Sequence, residues 1–440
     1  MTVRSKNPES WRHYQKGLKK KARRRSAANR VMLLFAYMVL IGLTYTASWI
    51  LAHGERSQDR DSTPAKWENS QLEEFGKQDL PPLLRGLNLD AVPTTQHYPL
   101  HNGGMRLTVE VPIDTGLQKY ILDLLRRSRT HQAAVVVLKP KTGQILAMAD
   151  YEKVSKGEKE DLCLKADFPA ASLFKIVSAA AAIEARGFTP GKTVVFRGMK
   201  HTLYNSQLRE KEGRYSRKTS FRRAFAGSIN PVFGKIGIYV LGRTFMADYA
   251  DKFLFNQEIP FDLPVGVSRI HIPIDDFGLA EIASGFNKRT RISPLHASLI
   301  TAAVANHGII TEPWLVRRIT NESGAVLYRA RFSSLGRPIE ERTAKQLKIL
   351  MKETVVSGTC RKAFLPLRRK KRFKDIELGA KTGTINDPND HYKYDWVTAY
   401  ALPKDESRGV CVTILAIHGK KLGIRAADMA RYIIRRHFLS

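Results

Sequence analysis

Acidic residues are scarce in this chain. Its 440 residues hold 41 Asp and Glu against 73 Lys and Arg, a formal net charge of +32. So strong a basic balance points to anionic partners, nucleic acid or an anionic surface, and makes the location of the charge the first question. Cysteine is scarcer still, at three (Cys163, Cys360, Cys411). That odd count permits at most one internal disulfide and excludes a disulfide-framed fold. No His-x-x-x-His pair stands beside a carboxylate, so a metal site has no spacing to rest on, and no metal or other cofactor is expected. There is no internal repeat and no long low-complexity tract, which excludes a solenoid and a largely disordered chain. With 43 % hydrophobic and 26 % charged residues, the composition is that of a globular protein with room for a sizeable core.

Long hydrophobic runs are also absent, with one exception. "VMLLFAYMVLIGLTYTASWILA", Val31–Ala52, has 22 residues without a charge. As a helix it would be about 33 Å long, enough to cross a bilayer. Eleven Lys and Arg and a single acid, Glu9, precede it. The densest cluster, "KGLKKKARRR" (Lys16–Arg25), abuts the run, which makes it a topogenic signal in contact with anionic lipid rather than a nucleic-acid arm. Tyr45 and Trp49 lie near the far end, where amphipathic rings favour the interface. The expectation is a basic cytoplasmic tail (1–30), an uncleaved anchor (31–52) and an exported remainder. A cleaved signal peptide fits less well, because the run is long and no clear small-x-small cleavage site follows. Residues 53–104, with little apolar periodicity, are expected to be a juxtamembrane linker with one short helix.

From Met105 the pattern is globular. "RLTVEVP" alternates like a strand, and "DTGLQKYILDLLRRSR" sets Leu117, Ile121, Leu124 and Leu125 on one helical face. "AAVVVLK" and "QILAMAD" form a hairpin, and Lys141-Thr142-Gly143 is its turn. The same tripeptide recurs as Lys381-Thr382-Gly383 in "DIELGAKTGTIND". There it lies on a strand, followed by two paired strands, "YDWVTAYALPK" and "RGVCVTILAIHG". Gly383 removes a side chain where a backbone or ligand must approach closely. Lys381, Thr382 and Thr384 then offer a binding surface for a carboxylate.

"FPAASLFKIVSAAAAIEARG" is a buried helix that opens near Ala171 and stops at Gly187. Ser172 and Lys175, three apart, share one face near its N-terminus, where free N–H groups favour developing negative charge. A serine hydroxyl needs a base, and a lysine desolvated among Ala, Leu, Phe, Ile and Val can become one. By itself Ser-x-x-Lys is better read as a capping serine and a surface lysine; the apolar setting favours chemistry. Ser228-Ile229-Asn230 precedes Pro231, so a helix starts there. In isolation, capping residues fit it better than a proton-relaying hydroxyl with a carbonyl-binding amide.

Ser-x-x-Lys, then Ser-x-Asn 56 residues on, then Lys-Thr-Gly 153 residues beyond, resembles the penicillin-recognising serine acyltransferases, and most closely the penicillin-binding protein transpeptidase domain. The likeness runs from about Leu107 to the C-terminus and includes "FPAASLFKI", "GFNKRTRISPLHASLITAAVANHGIITEPWLV" and "VVSGTCRKAF". It implies an α+β fold over 105–440: an antiparallel sheet covered by helices on both faces, plus a mainly helical subdomain, with the site between them. Carried over by position, Ser172 is the acylated nucleophile and Lys175 its base. Ser228 relays protons, and Asn230 holds substrate amides and orients Lys175. Lys381, Thr382, Gly383 and Thr384 bind substrate, the N–H groups of Ser172 and Thr384 forming an oxyanion hole. The implied reaction is transpeptidation of peptidoglycan stem peptides ending in D-Ala-D-Ala, with β-lactams as inhibitors.

The same resemblance implies partners in wall synthesis such as a glycosyltransferase, since no such domain fits before Leu107, and no nucleic acid. Localisation would be a single-pass inner membrane with the catalytic domain outside. A D,D-carboxypeptidase or β-lactamase, and a non-catalytic β-lactam sensor or scaffold, are the alternatives. The basic stretch "CRKAFLPLRRKKRFK" (Cys360–Lys374) has eight cations; it is expected to be a solvated loop, with contact to anionic lipid or wall polymer as the other reading. Glu312 in "TEPWLV" is expected at a strand entry rather than in a deacylation loop.

Overall fold

Strands rich in apolar residues on both faces must be covered on both, and the centre of this chain is built from three of them, each buried at nearly every position. A computed structural model describes residues 75–84, 97–102, 105–153, 161–211, 213–387, 389–405 and 407–439. These all lie in one compact unit, Gln71–Ser440. The expected tail and anchor, and most of the expected linker, lie outside the described residues; among those described, no helix is long and apolar enough to cross a membrane. The strands used below are β1 (His97–Asn102), β2 (Met105–Glu110), β3 (Gln132–Leu138), β4 (Ile145–Glu152), β5 (Arg318–Asn321), β6 (Val326–Arg329), β7 (Ile376–Asn386), β8 (Lys393–Pro403) and β9 (Val410–His418). The helices are α1 (Thr115–Arg127), α2 (Lys175–Arg186), α3 (Phe221–Ala226), α4 (Asn230–Ile236), α5 (Asp276–Ser284), α6 (Pro294–Ala305), α7 (Glu341–Val356), α8 (Arg361–Arg368) and α9 (Ala426–Leu439).

The central sheet is antiparallel in the order β7-β8-β9-β3-β4. Its period-two pattern divides the core. Ala133, Val135 and Val137, with Val397, Ala399, Val412 and Ile414, face α1 and α9, joining Leu117, Ile121, Ile433 and Ile434. Ala134, Val136 and Leu138, with Trp396, Tyr400 and Leu415, face the other way, joining Leu295 and Leu299 of α6 and Leu347 and Met351 of α7. Every residue of α6 is buried, including its polar His296, Ser298 and Thr301. A second sheet runs β1-β2-β5-β6.

The hairpin expected around Lys141-Thr142-Gly143 forms as β3–β4. Gly143 has φ +70, and a Cβ on it would lie 2.0 Å from the Glu312 carbonyl oxygen, so the turn needs glycine twice over. Trp314 buttresses it, its ring N–H donating to the Thr142 carbonyl at 2.8 Å. The described parts of the expected linker are ordered onto the main body. Leu80 and Leu84 enter the core, Lys77 pairs with Asp262 and Glu312, and β1 pairs along β2.

One expectation changes, and one open question is answered. The basic stretch is not a loop: α8 and a 3₁₀ turn (Lys371–Phe373) seat Phe364, Leu367 and Phe373 in the α1/α9 core and leave the cations outside. Its apolar residues have helical spacing, and their burial overrides the charge run. Cys163, Cys360 and Cys411 are each free and buried, so none is spent on a disulfide.

Candidate active site

The Ser172 turn is fixed before its helix begins. Phe168–Pro169 pairs with Arg291–Ile292, the Ala170 N–H donates to the Thr290 carbonyl at 2.9 Å, and the Trp396 indole N–H donates to the Pro169 carbonyl at 2.9 Å. Ala171 then takes φ +48, a strained choice for a residue with a Cβ. The expected helix opening is a 3₁₀ turn, Ala171–Phe174, that passes into α2. Residues i and i+3 eclipse in a 3₁₀ turn, and the Lys175 ammonium nitrogen sits 2.8 Å from the Ser172 hydroxyl.

Lys175 is wholly buried and held from three sides. Besides Ser172, its Nζ donates to the Asn230 amide oxygen at 2.7 Å and to the Ser284 carbonyl. Asn230 opens α4 ahead of Pro231, with its own N–H on the Lys200 carbonyl at 2.7 Å. Ser284 ends α5, where carbonyls are left without helical partners. Burial, then the nearby Lys381 charge, pushes the Lys175 amine well below its ordinary range, towards the neutral form.

Lys381 points inward from β7, the outer strand of the sheet, and is also wholly buried. Its Nζ donates to the Ser228 hydroxyl at 3.0 Å and to the Thr382 carbonyl at 2.7 Å. Ser228 holds φ +50 between α3 and α4. Burial brings Lys381 down to about 7. The two amines lie over aromatic faces, Lys175 5.5 Å from the Phe233 centroid and Lys381 5.6 Å from that of Phe225. Among the described residues no carboxylate pairs with either lysine.

Two glycines set the spacing. A Cβ on Gly383 would lie 3.2 Å from the Ala171 Cβ and 3.3 Å from the Ser172 nitrogen, so β7 passes directly against the Ser172 turn. The close approach expected at Gly383 is thus to the Ala171–Ser172 segment. Gly285, at φ +62 after α5, admits the Ala171 carbonyl and the Ser172 nitrogen from the other side.

The structure therefore brings Ser172, Lys175, Ser228, Asn230, Lys381 and Gly383 together. Thr382 turns its hydroxyl to that of Thr359 at 2.6 Å. Thr384 is exposed beside a cavity of about 740 Å³ also lined by Asp275, Glu281, Phe286, Lys288 and Arg289. The other Lys-Thr-Gly, at 141–143, belongs to a hairpin turn and shares none of these contacts. Sequence reasoning missed Ser284, Gly285 and Thr359. Gly285 carried a signal, a glycine closing a helical pattern; a backbone carbonyl such as that of Ser284 carries none.

The penicillin binding protein transpeptidase domain model matches residues 133–434. Among characterised proteins, the peptidoglycan D,D-transpeptidase PbpA of Mycobacterium tuberculosis is 26% identical over 348 residues, covering 69% of this chain and 66% of that protein. Its namesake from Mycolicibacterium smegmatis is 24% identical over 314 residues, covering 64% and 62%. The chain thus spans just under two thirds of these relatives. Among solved structures, the imipenem acyl-enzyme complex of penicillin-binding protein A from M. tuberculosis matches with a TM-score of 0.61 at 22% identity, covering 76% of this chain and 79% of that one. The D,D-transpeptidase domain of a peptidoglycan glycosyltransferase from Eggerthella lenta matches with 0.61 at 23%, covering 74% and 82%. These neighbours share the mixed α/β fold with its antiparallel sheet and flanking helices. With the family match spanning most of the chain, and the three motifs converging on one buried cluster, this protein belongs to the penicillin-binding protein transpeptidase family.

Proposed function

We propose that this chain is a peptidoglycan D,D-transpeptidase that works through an acyl-enzyme on Ser172. The carrying observation is the Lys175 amine, desolvated and 2.8 Å from the Ser172 hydroxyl. As a neutral amine, Lys175 takes the Ser172 proton while Oγ attacks the carbonyl between the two D-alanines of a stem peptide. The oxyanion lies between the N–H groups of Ser172 and Thr384. The C–N bond breaks, and the proton passes from Lys175 by way of the Ser228 hydroxyl to the departing D-alanine amine. An amine of a neighbouring stem then attacks the ester, its lost proton crosses the same groups, and Ser172 Oγ recovers one as the C–O bond breaks. Lys381 presents positive charge to the terminal carboxylate of the donor, with Thr384 beside it. Asn230 anchors Lys175 and meets the substrate amide. The unpaired edge of β7 offers an extended peptide a strand to pair with.

The PbpA relatives, called peptidoglycan D,D-transpeptidases, and the acyl-enzyme complexes of the structural neighbours support this reading. Transpeptidation is favoured over hydrolysis because, among the described residues, no carboxylate hydrogen-bonds to Ser172 or Lys175 to aim a water at the ester. The run 31–52 would anchor the domain on the outer side of the inner membrane, where anionic lipid meets the basic tail and wall-synthesis proteins such as a glycosyltransferase supply nascent strands. The test is incubation with a stem-peptide donor and acceptor and separation of the products, alongside peptide mapping after exposure to a labelled β-lactam. Cross-linked product and label on Ser172 are expected. Label elsewhere, or release of D-alanine with no cross-link at any acceptor concentration, refutes the proposal.

A further inference from the structure

The cavity beside Thr384 has no part in the chemistry above. Its walls are α5, the loop 286–290 that follows, and the end of β7 at Thr384 and Asn386, and its volume is about 740 Å³. The loop is tied to the Ser172 turn at both ends. Gly285 admits the Ala171 carbonyl and the Ser172 nitrogen, and the Thr290 carbonyl accepts the Ala170 N–H at 2.9 Å. Between these ties the Asn287 amide oxygen accepts the N–H groups of Arg289 at 3.0 Å and Thr290 at 2.7 Å. What the loop presents to the cavity is therefore placed relative to the reacting serine.

The lining carries charges of both signs. Asp275 and Lys288 are engaged within the protein: the carboxylate caps α5, accepting the Gly278 N–H at 2.8 Å, and the ammonium donates to the Asp387 carbonyl at 2.9 Å. The side chains of Glu281 and Arg289 make no hydrogen bond or ion pair among the described residues, nor do they pair with each other. Glu281 is half-buried, one helical turn before Ser284, whose carbonyl holds Lys175. Burial, then the Asp275 charge, pushes its carboxyl upward, a cost that a cation brought by a ligand offsets. Opposite charges that share a cavity without pairing suit a ligand bearing both signs.

In the reaction proposed above, the departing D-alanine has its carboxylate at Lys381 and Thr384. The amine that attacks the ester takes the place that the D-alanine amine left, so the incoming stem enters on the Thr384 side. The geometry points to this cavity as the acceptor subsite and to the class of acceptor it takes: a stem whose branch carries an ammonium and a carboxylate, the first drawn to Glu281 and the second to Arg289. The inference deepens the transpeptidase reading and rests on it. Both residues lie outside the three motifs, and both only bind; the amine loses its proton at the ester, to the groups already named.

The full-length protein should be given a stem-peptide donor and one of two synthetic acceptor peptides. In one the branch ends in an amine beside a free carboxylate, and in the other that carboxylate is an amide. The readout is the ratio of cross-linked to hydrolysed donor as acceptor is raised. That ratio counts only molecules that have reached the acyl-enzyme, so slow acylation or a partly unfolded sample does not move it. The wild-type protein should half-saturate at about tenfold lower concentration of the free-carboxylate acceptor than of the amide. Arg289→Ala should abolish that preference by weakening the free-carboxylate acceptor alone, and Glu281→Gln should weaken both about tenfold. No preference in the wild-type protein, a preference that survives Arg289→Ala, or wild-type half-saturation in Glu281→Gln overturns the inference and leaves the transpeptidase reading standing. If the wild-type protein takes label on Ser172 but cross-links neither acceptor, that reading fails and the subsite falls with it.

Discussion

Replacing Gly285 by alanine should disable a site whose motifs are all intact. A Cβ there would lie 1.9 Å from the Ala171 carbonyl oxygen and 3.0 Å from the Ser172 nitrogen. An ordinary carbon–oxygen approach is about 3.3 Å or more, so one partner must retreat by more than about 1 Å. Ala171 has little slack, since it already holds φ +48. The alanine at 285 would also hold φ +62, at about 1–2 kcal/mol. If α5 gives way instead, it carries the Ser284 carbonyl away from Lys175, so either escape separates the Ser172–Lys175 pair. A misplacement of about 1 Å costs on the order of 10²-fold in rate. The expected outcome is acylation by a fluorescent penicillin slowed about 10²-fold or more, with a melting temperature a few degrees lower. Gly383→Ala is the graded comparison. Its nearest contacts would be 3.2, 3.3 and 3.4 Å, which a few tenths of an ångström relieve, so its loss should be clearly smaller. Wild-type acylation in Gly285→Ala, or a larger loss in Gly383→Ala, would refute the reasoning.

Lys381→Ala should slow acylation about 10²-fold, whereas Lys141→Ala should leave it unchanged; equal effects in the same assay would show the two Lys-Thr-Gly segments to be misassigned. Lys381 also makes stability depend on pH. With its folded value near 7 and its ordinary value 10.5, the unfolded chain binds a proton that the folded one does not. Stability should therefore rise with pH above 7 by up to about 1.4 kcal/mol per unit from this group, and Lys381→Met should remove that part of the slope in urea unfolding at pH 7 and 8.5. Asp395 works in the opposite range. Burial would raise it, but the two-pronged Arg425 bond (2.6 and 2.9 Å), His418 and the Ala426 N–H bring it down to about 2. Its contribution, on the order of 2 kcal/mol, is complete above 3.8 and lost as pH falls towards 2; Asp395→Asn should be less stable at pH 6 and lose less on acidification, and an unchanged acid midpoint would count against the assignment.

The central sheet and its hairpin were legible because both strand faces are apolar and a glycine-bearing turn joins β3 to β4. The site was legible wherever its parts are side chains in short motifs. It was not legible where the group is a backbone atom, as at Ser284, or where the contact depends on how distant segments meet, as at Thr359, whose hydroxyl meets that of Thr382. The basic stretch misled because eight cations in fifteen residues mask the spacing of Phe364 and Leu367, and Pro366 argues against a helix. Strand β1 was hidden inside the expected linker by Pro99 and the lack of clean alternation. A proline is tolerated there because β1 lies at the sheet edge, where one side needs no donor.

Two buried lysines without a carboxylate are a local conflict that a sequence selected for stability alone would remove. In the proposed mechanism the conflict supplies the reactivity. A carboxylate beside Lys175 would raise its proton affinity and hold it as an ammonium, unable to take the Ser172 proton. Oxygens with no formal charge, from Asn230, Ser284 and Ser228, can steady the amines without that effect, and the rings of Phe225 and Phe233 keep water back. The cost is offset elsewhere, by α2, buried along most of its length, and by α6, buried throughout.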